Sequence, residues 1–66
     1  MTVMPLVEVT LVEGRTPDQL RTLISRLTAA VVDSVGAPKE NVRVVLREIS
    51  ATHWAAGDVT VAERRG

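Results

Sequence analysis

Cysteine is absent from this chain, so neither a disulfide nor a thiolate metal site can stabilise it. The chain has 66 residues, which allows one small domain. A domain of this size buries only about 60% of the surface that its unfolded chain exposes. Yet 45% of the residues are hydrophobic. We therefore expect residues 1–66 to form a single domain that buries part of its apolar surface against copies of itself.

Aromatic residues and excess charge are also scarce. Trp54 is the one aromatic side chain, and eight basic residues balance eight acidic ones. Nucleic-acid binding generally requires a basic surface and several stacking rings, so no nucleic-acid partner is expected. No apolar run approaches the roughly 20 residues of a membrane span. The N-terminus also lacks a signal-peptide pattern, so no membrane partner is expected and a cytoplasmic location is the default.

The apolar residues that are present form regular patterns, beginning with a strand over residues 5–12. Val7, Val9 and Leu11 alternate with polar residues, which is the period of a strand with one buried face. Leu6 also places an apolar side chain on the opposite face. Such a strand is typical of a sheet covered by a helix on one side and by a partner on the other.

A long helix is predicted next. Thr16 can cap its start, Pro17 suits the first turn, and Gln19 completes a capping box. Gly36 is the expected C-cap, and Pro38 prevents continuation. Apolar residues recur between these signals at steps of three and four, as one stripe. The stripe comprises Leu20, Leu23, Ile24, Leu27, Ala30, Val31 and Val35.

Alternating residues predict a second strand over residues 41–49. A strand, a helix and a strand form a βαβ unit, whose right-handed crossover makes the two strands parallel. Residues 55–58 carry a turn signal, and Val59 and Val61 then alternate with Thr60 and Ala62. The predicted fold class is therefore α/β, a βαβ subunit with a short C-terminal hairpin that packs on a neighbouring subunit.

Two arginines are candidates for binding an anion, because a guanidinium group pairs with a carboxylate in bidentate fashion. Arg15 follows the first strand, and ligand sites in α/β units gather where strands meet helix N-termini. It can equally be an ordinary surface side chain. Arg43 lies in a strand otherwise built for burial, where an unpaired charge is costly and an anionic partner is expected. That partner is either a ligand or, in a structural role, Glu8 or Glu48.

Trp54 and His53 are adjacent and each has two interpretations. A lone tryptophan most often covers the edge of a core, and the alternative is the wall of a pocket. His53 could act as an acid or base, but it lacks a nucleophile or a second metal ligand nearby in the sequence. We interpret it as a turn residue. The sequence contains no phosphate-binding glycine loop, nucleophile elbow or metal-ligand cluster, so no metal or cofactor is expected.

Three stretches of the chain resemble the 4-oxalocrotonate tautomerase family, in order and at matching spacing. They are residues 5–16, residues 41–48 and residues 52–57. The Glu-Gly-Arg-Thr sequence ending at Thr16, with Pro5 ten residues before the arginine, is the most specific part. The resemblance spans residues 5 to 57, which is most of the chain.

The resemblance implies a role for each candidate residue. Pro5 matches the amino-terminal proline that serves as the catalytic base. Arg15 matches the arginine that holds the distal carboxylate of a dicarboxylate substrate, and Arg43 matches the arginine that a neighbouring subunit donates to the 2-hydroxy or 2-keto acid end. Trp54 stands where the family often has a phenylalanine pocket wall. The family assembles as hexamers, trimers of dimers, and its reaction needs no cofactor or metal.

The implied function is keto–enol tautomerisation of a small unsaturated 2-hydroxy or 2-keto acid, similar to 2-hydroxymuconate. Four residues, Met1 to Met4, precede Pro5, and behind Met4 the proline nitrogen is an amide without useful basicity. Either a start at Met4 and its removal free Pro5, or the extended chain lacks the proline mechanism. Thr2 is a weaker candidate amine.

Two further functions remain open from the sequence. One is a non-catalytic protein, a pseudoenzyme, that binds small carboxylates or serves in assembly. The other is a different reaction on the same scaffold, such as hydration or dehalogenation of an unsaturated acid.

Overall fold

The computed structural model describes residues 4–66, and its main unit is the predicted βαβ arrangement. The elements are β1 (Leu6–Val12), α1 (Pro17–Val35), a 3₁₀ turn (Lys39–Asn41), β2 (Arg43–Ile49), a second 3₁₀ turn (Ala51–His53), β3 (Ala55–Ala56), β4 (Val59–Thr60) and α2 (Val61–Arg65). β1 and β2 pair in parallel, from Leu6 opposite Arg43 to Val12 opposite Ile49. β3 and β4 form the short antiparallel hairpin. The predicted fold class is confirmed.

The ends of α1 follow from its sequence signals. The Thr16 hydroxyl accepts from the backbone N–H of Gln19 at 3.1 Å, and the Gln19 side chain accepts from the Thr16 N–H at 2.9 Å. This reciprocal capping box pairs donors that a helix otherwise leaves unpaired. Gly36 ends the helix with φ of 71°, and its N–H donates to the Val32 carbonyl at 3.0 Å. Glycine adopts this left-handed conformation without steric cost.

The inward side of α1 differs in part from the predicted stripe. Ala30 is exposed, and so is Val35, whereas Thr28 and Val32 are half-buried. The sheet beneath the helix has two strands and is too narrow to cover the whole apolar stripe of a 19-residue helix, so part of the stripe stays exposed. The half-buried residues of α1 are Leu20, Leu23, Ile24, Leu27, Thr28, Val31 and Val32.

The second strand begins two residues later than predicted. The backbone N–H of Asn41 donates to the Pro38 carbonyl at 2.9 Å, and that of Val42 donates to the Lys39 carbonyl at 3.2 Å. These bonds make residues 39–41 a 3₁₀ turn. Arg43 is therefore the first residue to join the sheet, and its N–H donates to the Pro5 carbonyl at 2.9 Å.

The C-terminal tail contains the predicted turn but not the full predicted alternation. Gly57 and Asp58 both have positive φ, 59° and 66°, which suits a two-residue hairpin loop. The second arm then ends at Thr60, and the continuation of the strand pattern through Ala62 is wrong. The reason is a second capping box, in which the Thr60 hydroxyl accepts from the Glu63 N–H at 3.1 Å and starts α2.

The interior of one chain is thin. Among residues 4–66, Ala37 is the only hydrophobic residue that is buried, at 4% exposure. Leu6 on β1 and Val45 on β2 remain 56% and 40% exposed, on the face of the sheet that α1 does not cover. No helix within the described part of the chain is long and apolar enough to cross a membrane. A fold with so little buried surface is expected to gain stability by covering this face.

Candidate active site

Pro5 lies at the amino end of the parallel sheet, immediately before β1. It is half-buried, and its carbonyl oxygen accepts the hydrogen bond from the Arg43 N–H. Its nitrogen is bonded to Met4, which is 59% exposed, so in this chain the nitrogen is a tertiary amide. Thr2 and the rest of the extension before Met4 lie outside the described residues.

Arg43 extends from the start of β2 on the uncovered face of the sheet. Its Nη1 donates to the Glu40 carbonyl oxygen at 2.8 Å, and its side chain is exposed. The structural alternative, a salt bridge to Glu8 or Glu48, is wrong for this structure. Within residues 4–66, Glu8 instead forms an ion pair with Arg47, with 2.7 Å between Oε2 and Nη2. The sequence analysis did not identify Arg47 as the partner of Glu8, although it shares the alternating pattern of Arg43.

Arg15 occupies the loop between β1 and α1. Gly14 has φ of 133°, which lets the chain turn out of the strand. The Arg15 Nη1 then donates to the Val12 carbonyl oxygen at 2.6 Å, and the side chain is exposed. This places a guanidinium group directly before the capped amino end of α1, where the helix dipole also favours an anion.

Trp54 follows the second 3₁₀ turn and joins it to the hairpin. Its carbonyl oxygen accepts from the Val61 N–H at 2.9 Å, which connects it to the first residue of α2. The residue is 38% exposed. His53 is the last residue of the 3₁₀ turn, and its N–H donates to the Ser50 carbonyl at 2.9 Å, which confirms its interpretation as a turn residue.

The four candidate residues lie at two ends of the molecule. Pro5 and Arg43 are at the amino end of the parallel strands, whereas Arg15 and Trp54 follow their carboxyl ends. β1 has seven residues and is therefore about 20 Å long at roughly 3.3 Å per residue. One chain thus supplies two half-sites, and a small dicarboxylate cannot contact Pro5 and Arg15 of the same chain.

A groove of about 350 Å³ runs along α1, and none of the four candidates lines it. Its lining residues are Arg21, Ile24, Ser25, Thr28, Ala29, Val32, Asp33 and Lys39. Across residues 4–66, no group of three or more histidine, cysteine or acidic side chains is arranged to hold a metal ion.

Comparisons with known proteins agree with the architecture. The family model described as tautomerase enzyme matches residues 5–64. A protein named "probable tautomerase" from Ralstonia nicotianae is 50% identical over 56 residues, which is 85% of this chain and 80% of that protein. A second "probable tautomerase", from Bacillus cereus, is 41% identical over 92% of this chain and 100% of its own length.

Solved structures give the same result at the level of the backbone. TomN, a 4-oxalocrotonate tautomerase homologue in the tomaymycin biosynthetic pathway, superposes with a TM-score of 0.90 at 46% identity, covering 92% of this chain and 94% of TomN. A structure of the 4-oxalocrotonate tautomerase isozymes from Methylibium petroleiphilum gives 0.87 at 40% identity, covering 91% and 97%. The chain belongs to the tautomerase family, and its subunit has the fold of the 4-oxalocrotonate tautomerases.

Proposed function

We propose that this chain is an isomerase that tautomerises a small unsaturated 2-hydroxy or 2-keto acid, similar to 2-hydroxymuconate. Pro5 is the general base when its amine is free. The observation that carries the proposal is the position of Pro5 directly before β1, at the amino end of the parallel sheet. The match to the tautomerase family also begins at residue 5, which supports the same start of the functional unit.

The chemistry requires one base that moves a proton from oxygen to carbon. A free Pro5 amine takes the proton of the 2-hydroxyl group, the oxygen electrons form the ketone, and the conjugated carbon receives the proton back. An α-amine has a pKa near 8 in water. Neighbouring arginine charge and exclusion of water both disfavour the ammonium form, so the pKa of this amine falls toward the working pH.

The two arginines hold the substrate in this scheme. Arg43 binds the carboxylate beside the 2-hydroxy or 2-keto group, and Arg15 binds the distal carboxylate and draws electron density toward it. Trp54 forms a wall that excludes water. Both guanidinium groups are exposed in the lone chain and bonded through Nη1 to neutral carbonyl oxygens, which leaves other N–H groups for a carboxylate.

The same proposal includes a homohexamer, a trimer of dimers, built from one domain per chain. The two half-sites of each chain are about a strand length apart, so a complete site needs residues from more than one copy. The thin interior and the uncovered sheet face favour the same conclusion. The 4-oxalocrotonate tautomerase from Chloroflexus aurantiacus, 35% identical to this chain, is a heterohexamer, which supports a six-chain assembly.

A binding protein without catalysis is the second candidate, because Met4 occupies the nitrogen of Pro5. In that case the arginines bind a small carboxylate and no proton moves.

Two versions of the protein separate these functions, one beginning at Pro5 and one keeping residues 1–4. We expect the short form to tautomerise 2-hydroxymuconate, with kcat/KM rising through a pKa below that of an ordinary α-amine. The long form should assemble alike and lack this activity. Intact mass confirms the N-terminus of each. Equal activity in both would place the base elsewhere, and inactivity in both across a panel of enol acids would favour the binding protein.

A further inference from the structure

The uncovered face of the sheet carries two arginines on either side of the position opposite one carboxylate. Glu8 on β1 lies opposite Val45 on β2. Arg43 and Arg47 are each two residues from Val45, on either side of it, so both side chains share the face of Glu8. Such a neighbour can be within reach of a long side chain, since Arg47 bonds to Glu8 at 2.7 Å.

In the structure the two arginines bond to different groups. The Glu8 carboxylate bonds to Arg47 at 2.7 Å, whereas the Arg43 guanidinium bonds to the uncharged carbonyl of Glu40 at 2.8 Å. Without Arg47, the carboxylate would have Arg43 as its remaining cationic neighbour on this face. A carboxylate paired with Arg43 would occupy the N–H groups that an acidic ligand needs.

We propose that Arg47 is a positioning residue that holds Glu8 away from Arg43 and so keeps Arg43 available for the carboxylate of a 2-oxo acid. The inference rests on the proposed carboxylate-binding role of Arg43. In the single chain both members of the pair are about half exposed, with side-chain exposures of 56% for Arg47 and 46% for Glu8. An ion pair at such exposure is modest, so releasing Glu8 should weaken ligand binding about two- to fivefold.

The test measures binding of 2-oxoadipate to the full chain by calorimetry at low salt, which needs no catalytic base. Arg47→Met should raise the dissociation constant about two- to fivefold. The double variant Glu8→Gln/Arg47→Met should bind like the wild type, because no carboxylate remains to compete. If Arg47 acted only through its positive charge, the double variant would still bind weakly, since it also lacks Arg47.

Three further variants make the result specific. Arg47→Lys should bind like the wild type, because a lysine still pairs with Glu8. Arg21→Met removes an exposed arginine that bonds to Ser25 on α1, and it should change nothing. Glu8→Gln alone should bind as tightly as the wild type or more tightly, and it remains informative if Arg47→Met does not fold.

The outcomes separate the inference from the function on which it rests. Wild-type affinity in Arg47→Met, a double variant that stays weak, or weakened binding in Glu8→Gln would each overturn the role of Arg47. Arg43→Ala should weaken binding in every case. If Arg43→Ala binds like the wild type, or if neither protein binds 2-oxoadipate, the carboxylate role of Arg43 fails and the inference fails with it.

Discussion

Arg15 and Arg43 share a local geometry although they lie at opposite ends of the sheet. Each donates from Nη1 to the backbone carbonyl three residues earlier, at 2.6 Å for Arg15 and 2.8 Å for Arg43. One edge of each guanidinium group is thereby held by the backbone, while no other hydrogen bond within residues 4–66 uses the remaining donors. Lysine cannot reproduce this, because a single ammonium group has no planar fork that can bond a carbonyl and a carboxylate side by side.

Substitution of each arginine should therefore show which end of the substrate it binds. In the form that begins at Pro5, Arg15→Ala should impair dicarboxylates such as 2-hydroxymuconate and spare the monocarboxylate phenylenolpyruvate. Arg43→Ala should impair both. Loss of one bidentate charged contact costs about 1.5–3 kcal/mol, or roughly tenfold to a hundredfold in kcat/KM. Wild-type turnover of both substrates by both variants would show that the two arginines do not bind the substrate carboxylates.

The sequence located these arginines but could not identify their partners. Arg43 was correctly placed in a strand beside acidic residues, and Glu8 was a reasonable candidate partner. Strand register places both Arg43 and Arg47 near Glu8, because Val45 lies between them and opposite Glu8, and the Glu40 carbonyl then holds Arg43. Register is a property of the paired strands, so alternation within either strand alone does not contain it.

At the scale of elements, each helix is started by a reciprocal capping box. α1 uses Thr16 with Gln19, and α2 uses Thr60 with Glu63. The two boxes differ in charge, because only the second contains a carboxylate. The hydrogen bond from the Thr60 backbone N–H, at 2.7 Å, lowers the pKa of the Glu63 carboxyl below its ordinary value, and the Thr60 side chain acts in the same direction.

This difference makes the start of α2 sensitive to acid. A carboxyl whose folded pKa is depressed contributes its stabilisation above the ordinary pKa and loses it as the pH falls through the lowered value. In an NMR titration, the Thr60 amide resonance should therefore follow a transition below the ordinary range of a glutamate. Glu63→Gln keeps the acceptor, as Gln19 does in α1, and should abolish that transition. An identical Thr60 titration in Glu63→Gln would show that another group is responsible.

Local signals explain which elements the sequence could predict. The cap, the first-turn proline and the terminal glycine of α1 all act within a few residues, so its start and end were correct. The tail was harder, because the alternation after Val59 fits a short strand as well as the entry to a helix. Thr60 followed three residues later by Glu63 is a capping-box signature, and it was the available evidence for α2.

For the whole molecule, the expected form in solution is a hexamer. One chain of 66 residues covers little of its own apolar surface. Sedimentation or light scattering at micromolar concentration should therefore give a mass near six times 7.1 kDa. A folded, stable monomer under these conditions would exclude the shared-site proposal.

The length of β1 also has a genetic consequence. Because β1, about 20 Å long, separates Pro5 from Arg15 in one chain, a defect at each end is expected to fall in a different site of the assembly. The long form, which lacks a free Pro5 amine, still supplies Arg15. A short form carrying Arg15→Ala still supplies the base.

Refolded together, these two defective proteins should therefore complement each other. Mixed hexamers should turn over 2-hydroxymuconate faster than the sum of the separate proteins, while each protein refolded alone stays impaired. Activity equal to that sum would mean that Pro5 and Arg15 do not meet across copies. A strand of seven residues would thus let two alleles, each deficient alone, restore a working enzyme in one cell.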